Sequence, residues 1–113
     1  MNTNDIRYLI VLLASEEAFV NELAAEAAKR YISESIIQDL LKQLLSEECI
    51  GIANLVDEDL VDFDKQKCIE MVGSWAAFIA SSYQMFLTDS GFKRFDNDSW
   101  GITKERARKI LFG

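Results

Sequence analysis

The chain contains no histidine and no proline, and it has only two cysteines and five glycines in 113 residues. Without histidine it lacks the commonest general base and the centre of most nucleophilic triads. Without proline there is no stiff linker to divide it, so residues 1–113 are expected to form one domain. No glycine-rich loop is present to cradle a phosphate. Cys49 and Cys68 are too few for a disulfide framework or a structural zinc site, and they read as reduced core thiols of a cytosolic protein. Long hydrophobic runs are missing as well. The longest near the start, residues 8–14, falls well short of the roughly 18–20 residues of a membrane span. A signal peptide is the rival reading of that run. Asp5 spoils its basic flank, and the run fits a buried helix better.

What is present is apolar and acidic. Half of the residues are hydrophobic, enough for a substantial core, and the formal net charge is -7. That charge favours solubility and repels phosphate backbones.

Helical periodicity dominates the first half. Ile6, Leu9, Ile10 and Leu13 give residues 5–14 one apolar face. Ser15 is placed to cap a second helix, with Glu16 and Glu17 in its first turn. Along that helix Phe19, Leu23, Ala27 and Tyr31 recur every fourth residue. Ser33 or Ser35 caps a third helix, reaching about Ser46. Its apolar stripe is built from Ile36, Ile37, Leu40, Leu41, Leu44 and Leu45, and its solvent face carries Glu34, Gln38, Asp39, Lys42 and Gln43. Residues 49–56 are short, apolar and rich in branched side chains, which predicts a strand.

Beyond that strand, residues 57–64 are expected to be an acidic loop. A helix is expected over residues 65–72, ending near Gly73. Residues 75–82 fit either a continued helix or a covered loop. Residues 83–87 alternate as a second strand, and residues 88–95 lead into a short helix. A turn near Gly101 and a last helix capped by Thr103 follow, with Ala107, Ile110 and Leu111 on its apolar side. The fold class is therefore α+β, mostly helical, with a small antiparallel sheet.

Two passages resemble the winged helix-turn-helix family. Residues 36–45 (IIQDLLKQLL), running directly into the strand from Cys49, resemble a recognition helix entering the first wing strand. Residues 86–91 (FLTDSG) resemble the leucine-threonine-x-x-glycine passage that closes a wing and opens the next helix. There Thr88 would cap the helix and Gly91 would allow close packing. The resemblance covers roughly residues 5–95 and implies a winged-helix-like bundle. The chain departs from DNA-binding members in two ways: its wing connection is long, and it is acidic where theirs is basic. In layout and charge it is also similar to small bacterial immunity proteins of the contact-dependent growth-inhibition type. That resemblance implies binding and blocking of a toxin.

The strongest chemical feature is a run of acids without an intervening base: Glu47, Glu48, Asp57, Glu58, Asp59, Asp62 and Asp64. Such a cluster is either a solvated loop that aids solubility or a surface that steers a cationic partner. Leu60, Val61 and Phe63 among the acids are either interface anchors or the loop's own attachment to the core. The partner-binding expectation therefore comprises Asp57, Glu58, Asp59, Leu60, Asp62, Phe63 and Asp64.

No catalytic residue, metal or cofactor is assigned. A calcium loop from Asp57 lacks glycine at its sixth position. The run from Asp96 to Gly101 has that glycine, but Ala107 stands where a bidentate glutamate belongs. Trp75, Phe78, Tyr83, Phe86 and Phe92 are expected in the core rather than around a pocket. Lys93, Arg94, Lys104, Arg106, Arg108 and Lys109 make the C-terminal stretch basic. They either pair with the acidic body or touch nucleic acid.

The expected function is a small acidic bacterial, cytoplasmic, non-enzymatic protein that neutralises a basic partner by occlusion. A toxin immunity protein blocking a nuclease toxin fits that description. The alternative is a winged-helix DNA-binding regulator, which would need a basic stripe joining Arg94, Arg106 and Arg108 to the third helix. A further possibility is a dimerising scaffold, with the first or last helix as an apolar seam.

Overall fold

The computed structural model describes residues 3–97 together with Glu105, Arg108 and Lys109. The expected Gly101 turn, the Thr103 cap and the apolar residues Ala107, Ile110 and Leu111 lie outside the described residues, as do Lys104 and Arg106.

The first helix, α1 (Thr3–Ser15), is the centre of the fold. Tyr8, Leu9, Ile10, Val11, Leu12, Leu13 and Ala14 are all buried, so every side of the helix is covered along this stretch. A helix that is apolar all round needs neighbours all round. α1 finds them in α3, α6 and β3. Its apolar face is occupied by its own fold, which removes it as a dimer seam.

Ser15 ends α1 instead of opening α2, contrary to expectation. Its hydroxyl donates to the Leu12 carbonyl at 2.6 Å. Glu17 then takes a left-handed backbone with φ 56, and the Ala18 amide returns to the Leu13 carbonyl at 3.0 Å. This is a helix C-terminal closure, and it uses both glutamates as the turn. The cause is tertiary. Residues 18 and 19 run extended beside a later strand, with Phe19 bridged to Gln84: the Val20 amide donates to Tyr83 O and the Met85 amide donates to Ala18 O, both at 2.9 Å.

The next two helices are α2 (Val20–Lys29) and α3 (Glu34–Ser46). Ser33 is the N-cap residue of α3, but its hydroxyl lies 2.9 Å from that of Ser35 and makes no capping bond. Ile37, Leu40, Leu41, Leu44 and Leu45 are buried, as the stripe requires, whereas Ile36 is exposed.

Three strands follow: β1 (Ile50–Val56), β2 (Asp59–Asp62) and β3 (Gln84–Leu87). They form an antiparallel sheet in the order β2-β1-β3. Ile50, Ile52, Met85 and Leu87 are buried on its inner face. Between β2 and β3 lie α4 (Lys65–Gly73) and the short α5 (Trp75–Ile79). The last described helix, α6 (Asp89–Asp96), begins as expected, with the Thr88 hydroxyl accepting from the Gly91 amide at 3.1 Å. A side chain at Gly91 would collide with the Cys49 carbonyl, so the close packing expected of that glycine is a backbone-to-backbone approach.

The fold is therefore α+β and mostly helical, compatible with a winged-helix-like arrangement. β1 and β3 pair directly, Ile50 with Leu87 through Ala53 with Gln84. The long connection between them is a hairpin strand and two helices. No helix among the described residues is long and apolar enough to cross a membrane.

Candidate partner-binding surface

The expected loop over residues 57–64 is instead one half of a hairpin. Ala53 pairs with Asp62, Asn54 with Val61, Leu55 with Leu60 and Val56 with Asp59. Only Asp57 and Glu58 remain for the turn, and both have left-handed backbones, φ 50 and φ 70. Two successive left-handed residues make the turn that matches the natural twist of a tight hairpin. Such turns favour asparagine and glycine, so the acids here hide the hairpin from a reading of the sequence.

The hairpin outruns the core. β1 is buried at Ile52 and Ala53, but from Leu55 onward both strands are exposed. Leu55 and Leu60 retain 62% and 54% of their accessible surface, and Val56 and Val61 are about half exposed. Alternation along a strand sends Leu55 and Leu60 to the outer face of the sheet, and Val56 and Val61 to the other. On the outer face Phe86 lies over Gly51, whose missing side chain makes the room. Ala53, Leu60, Asp62, Gln84, Phe86 and Glu17 line a shallow hollow of about 170 Å³ there.

Asp57, Glu58, Asp59 and Asp62 surround these apolar side chains. All four are exposed, and none forms an ion pair among the described residues. The field of the cluster reaches inward. The Cys68 thiol is pushed above its ordinary pKa first by burial, with Asp64 and Asp62 adding to the rise and a hydrogen bond involving the Ile52 backbone opposing it.

The other expected site residues have local employment. Asp64 is the N-cap of α4 and accepts from the Lys67 amide at 2.8 Å. Phe63 turns inward, with its ring edge-on to Tyr83 at 5.1 Å and its amide donating to the Ile52 carbonyl at 3.0 Å. It anchors the hairpin to the body, and Leu60 is left as the exposed member of the expected pair. Leu55 and Val56 belong to this surface and were absent from the sequence expectation. The signal that could have found them is a mirrored pattern of apolar residues on either side of Asp57 and Glu58.

Glu47 and Glu48, at the start of the acid run, are each ion-paired. Arg94 donates to the Glu47 carboxylate at 2.6 Å and to the Cys49 sulfur at 3.1 Å, and Glu47 holds the guanidinium further above its ordinary pKa. Lys65 lies 3.6 Å from Glu48. Arg108 reaches Glu16 at 3.3 Å. Two arginines of the basic C-terminal stretch are thus paired with the acidic body. Among the described residues no group of three or more potential ligands is gathered to hold a metal ion. Of the five aromatics expected in the core, only Phe78 is buried; Trp75 and Tyr83 are half-buried beside it, Phe86 is half-buried over Gly51 on the outer face of the sheet, and Phe92 is exposed.

The chain matches no known protein family. Comparison with curated proteins finds no match, and comparison with solved structures finds none.

Proposed function

We propose that this chain is a small acidic bacterial, cytoplasmic binding protein that neutralises a basic protein partner, acting as an immunity protein that occludes a nuclease toxin. The observation that carries this reading is the β1–β2 hairpin. It presents an exposed apolar pair on each face, Leu55 with Leu60 and Val56 with Val61, flanked by Asp57, Glu58, Asp59 and Asp62. An apolar centre with a charged rim is the usual anatomy of a protein interface. The rim steers a cationic surface into encounter, and the centre supplies affinity by leaving water. A nuclease active site must be basic to hold nucleic acid, so an acidic hairpin seated there would exclude the substrate. The protein itself performs no chemistry in this scheme.

The regulator reading has less support. The outer face of α3 offers Glu34 and Asp39 against Lys42 alone, whereas DNA affinity is dominated by cationic contacts to phosphate. Arg94 and Arg108, two members of the required basic stripe, are engaged by Glu47 and Glu16.

Capture from bacterial lysate with two baits tests the proposal. One is the native chain. The other carries Asp→Asn and Glu→Gln at Asp57, Glu58, Asp59, Asp62 and Asp64, and Asn at the last position preserves the helix cap. A single basic protein held by the native bait alone, whose nuclease activity the native chain suppresses, is the expected result. Capture that survives neutralisation, or a defined DNA fragment in place of a protein, would overturn it.

A further inference from the structure

β2 is an edge strand. Among the described residues its one strand neighbour is β1. The pairing register shows which of its backbone groups face outward. In an antiparallel ladder, hydrogen-bonded and non-hydrogen-bonded pairs alternate. A two-residue turn makes Val56 and Asp59 a bonded pair. Alternation then makes Asn54 and Val61 bonded, and the Phe63 amide on the Ile52 carbonyl continues the series at 3.0 Å. Leu60 and Asp62 fall between these pairs. Their N–H and C=O groups point away from β1, along the open side of the sheet.

We propose that this edge receives an extended, basic segment of the partner, which adds as a further strand alongside β2. The inference rests on the basic-partner reading above and specifies how that partner is held. Main-chain hydrogen bonds to Leu60 and Asp62 supply register, as in strand addition generally. Side chains of the edge set the sequence the added strand must carry. Asp59, Leu60, Val61 and Asp62 alternate between the two faces of the sheet, so each face offers one acid and one apolar residue. The complementary strand reads base, apolar, apolar, base. Its two apolar side chains lie beside Leu60 and Val61, and its two cations face Asp59 and Asp62.

The same charges exclude a second copy of this chain. An edge-to-edge β2 pair brings four aspartates together across one ladder, and like charges in such positions are destabilising. Charged edges are a common guard against self-pairing, and here the guard also selects a cationic strand.

The test uses the full chain and short synthetic peptides containing the core Lys-Val-Val-Lys, with amide hydrogen exchange followed by NMR. One peptide is unmodified. A second is N-methylated at the positions that would pair with Leu60 and Asp62, which keeps charge and side chains but removes the donors. A third carries glutamate in place of both lysines. The expected result is binding of the first peptide, with exchange at the Leu60 and Asp62 amides slowed by about tenfold or more, and loss of both effects with the second and third. Equal binding by the first two, with those amides still exchanging freely, would overturn strand addition and leave the acidic-surface reading intact. No binding by any peptide at low salt would remove both. Protection of the two amides in the free protein at high concentration would place a second copy at the edge and overturn the proposal.

Discussion

Leu55 and Leu60 stand directly opposite each other on β1 and β2, both more than half exposed, beyond the point where the sheet leaves the core. They occupy a non-hydrogen-bonded pair, in which side chains approach most closely. Cross-strand contact of this kind is worth only about 0.2–1 kcal/mol. Replacing both by threonine, a good strand former, is therefore expected to cost at most about 1 kcal/mol in denaturant unfolding. Affinity for the partner should fall by at least about tenfold, because each buried leucine contributes roughly 1.5–3 kcal/mol. Calorimetric titration of the captured partner checks this. A large loss of stability with unchanged affinity would mean that the pair serves the fold.

The turn between them gives a second prediction. Glu58 holds φ 70, a left-handed conformation that costs a non-glycine residue about 1–2 kcal/mol. Glu58→Gly relieves that cost, offset in part by the greater freedom of glycine in the unfolded chain. A net gain of about 0.5–1 kcal/mol is expected, together with slower association because one acid of the rim is gone. A destabilised variant would contradict the turn geometry.

Gly91 gives the opposite case. A methyl group there meets the Cys49 carbonyl, which is backbone and cannot swing aside. The same carbonyl accepts from the Thr88 amide at 3.1 Å, so displacing it breaks the junction between β1 and α6. Gly91→Ala is expected to cost about 3 kcal/mol or more. A melting temperature within a few degrees of the native value would contradict it.

Alkaline pH should also destabilise the protein through Cys68. Burial raises its pKa above the ordinary value of 9.0, and Asp64 and Asp62 add to the rise. In the unfolded chain the thiol ionises near 9.0, while in the folded chain it keeps its proton to higher pH. The folded state thus holds more protons above that point, and stability falls as pH rises through it. Below it, both states carry the neutral thiol and Cys68 adds no slope. Unfolding measured from pH 7 to 10 in the native chain and in Cys68→Ala should show a steeper alkaline decline in the native chain.

Much of this fold was legible in the sequence because its signals are local. The apolar run over residues 8–14 announces a buried helix, although its period suggests one apolar face where the structure covers every side, and the row from Ile37 to Leu45 announces the stripe of α3. In residues 86–91, Thr88 and Gly91 signal both the cap and the close packing that the structure contains. The misread parts depend on distant residues or on unusual turn chemistry. Ser15 has every local mark of an N-cap, but residues 18 and 19 must stay extended to pair beside β3, which delays α2 to Val20. Asp57 and Glu58 look like solvated loop because neither is glycine or asparagine, yet both adopt the left-handed turn. The inward direction of Phe63 is set by Tyr83, twenty residues further along, and no local pattern reveals it. The acids of the candidate surface were therefore legible, whereas its apolar centre at Leu55 and Val56 became visible only with the hairpin.

The proposed function depends on the acidic rim of the β1–β2 hairpin steering a basic protein onto this chain. The most direct measurement is the association rate of the captured partner, by stopped flow across a range of salt concentrations. It is made with the native protein and with the variant neutralised at Asp57, Glu58, Asp59, Asp62 and Asp64. The native rate is expected to fall steeply as salt rises, and the neutralised variant to be at least about tenfold slower at low salt with a nearly flat salt dependence. Equal rates with equal salt dependence in the two proteins would contradict it.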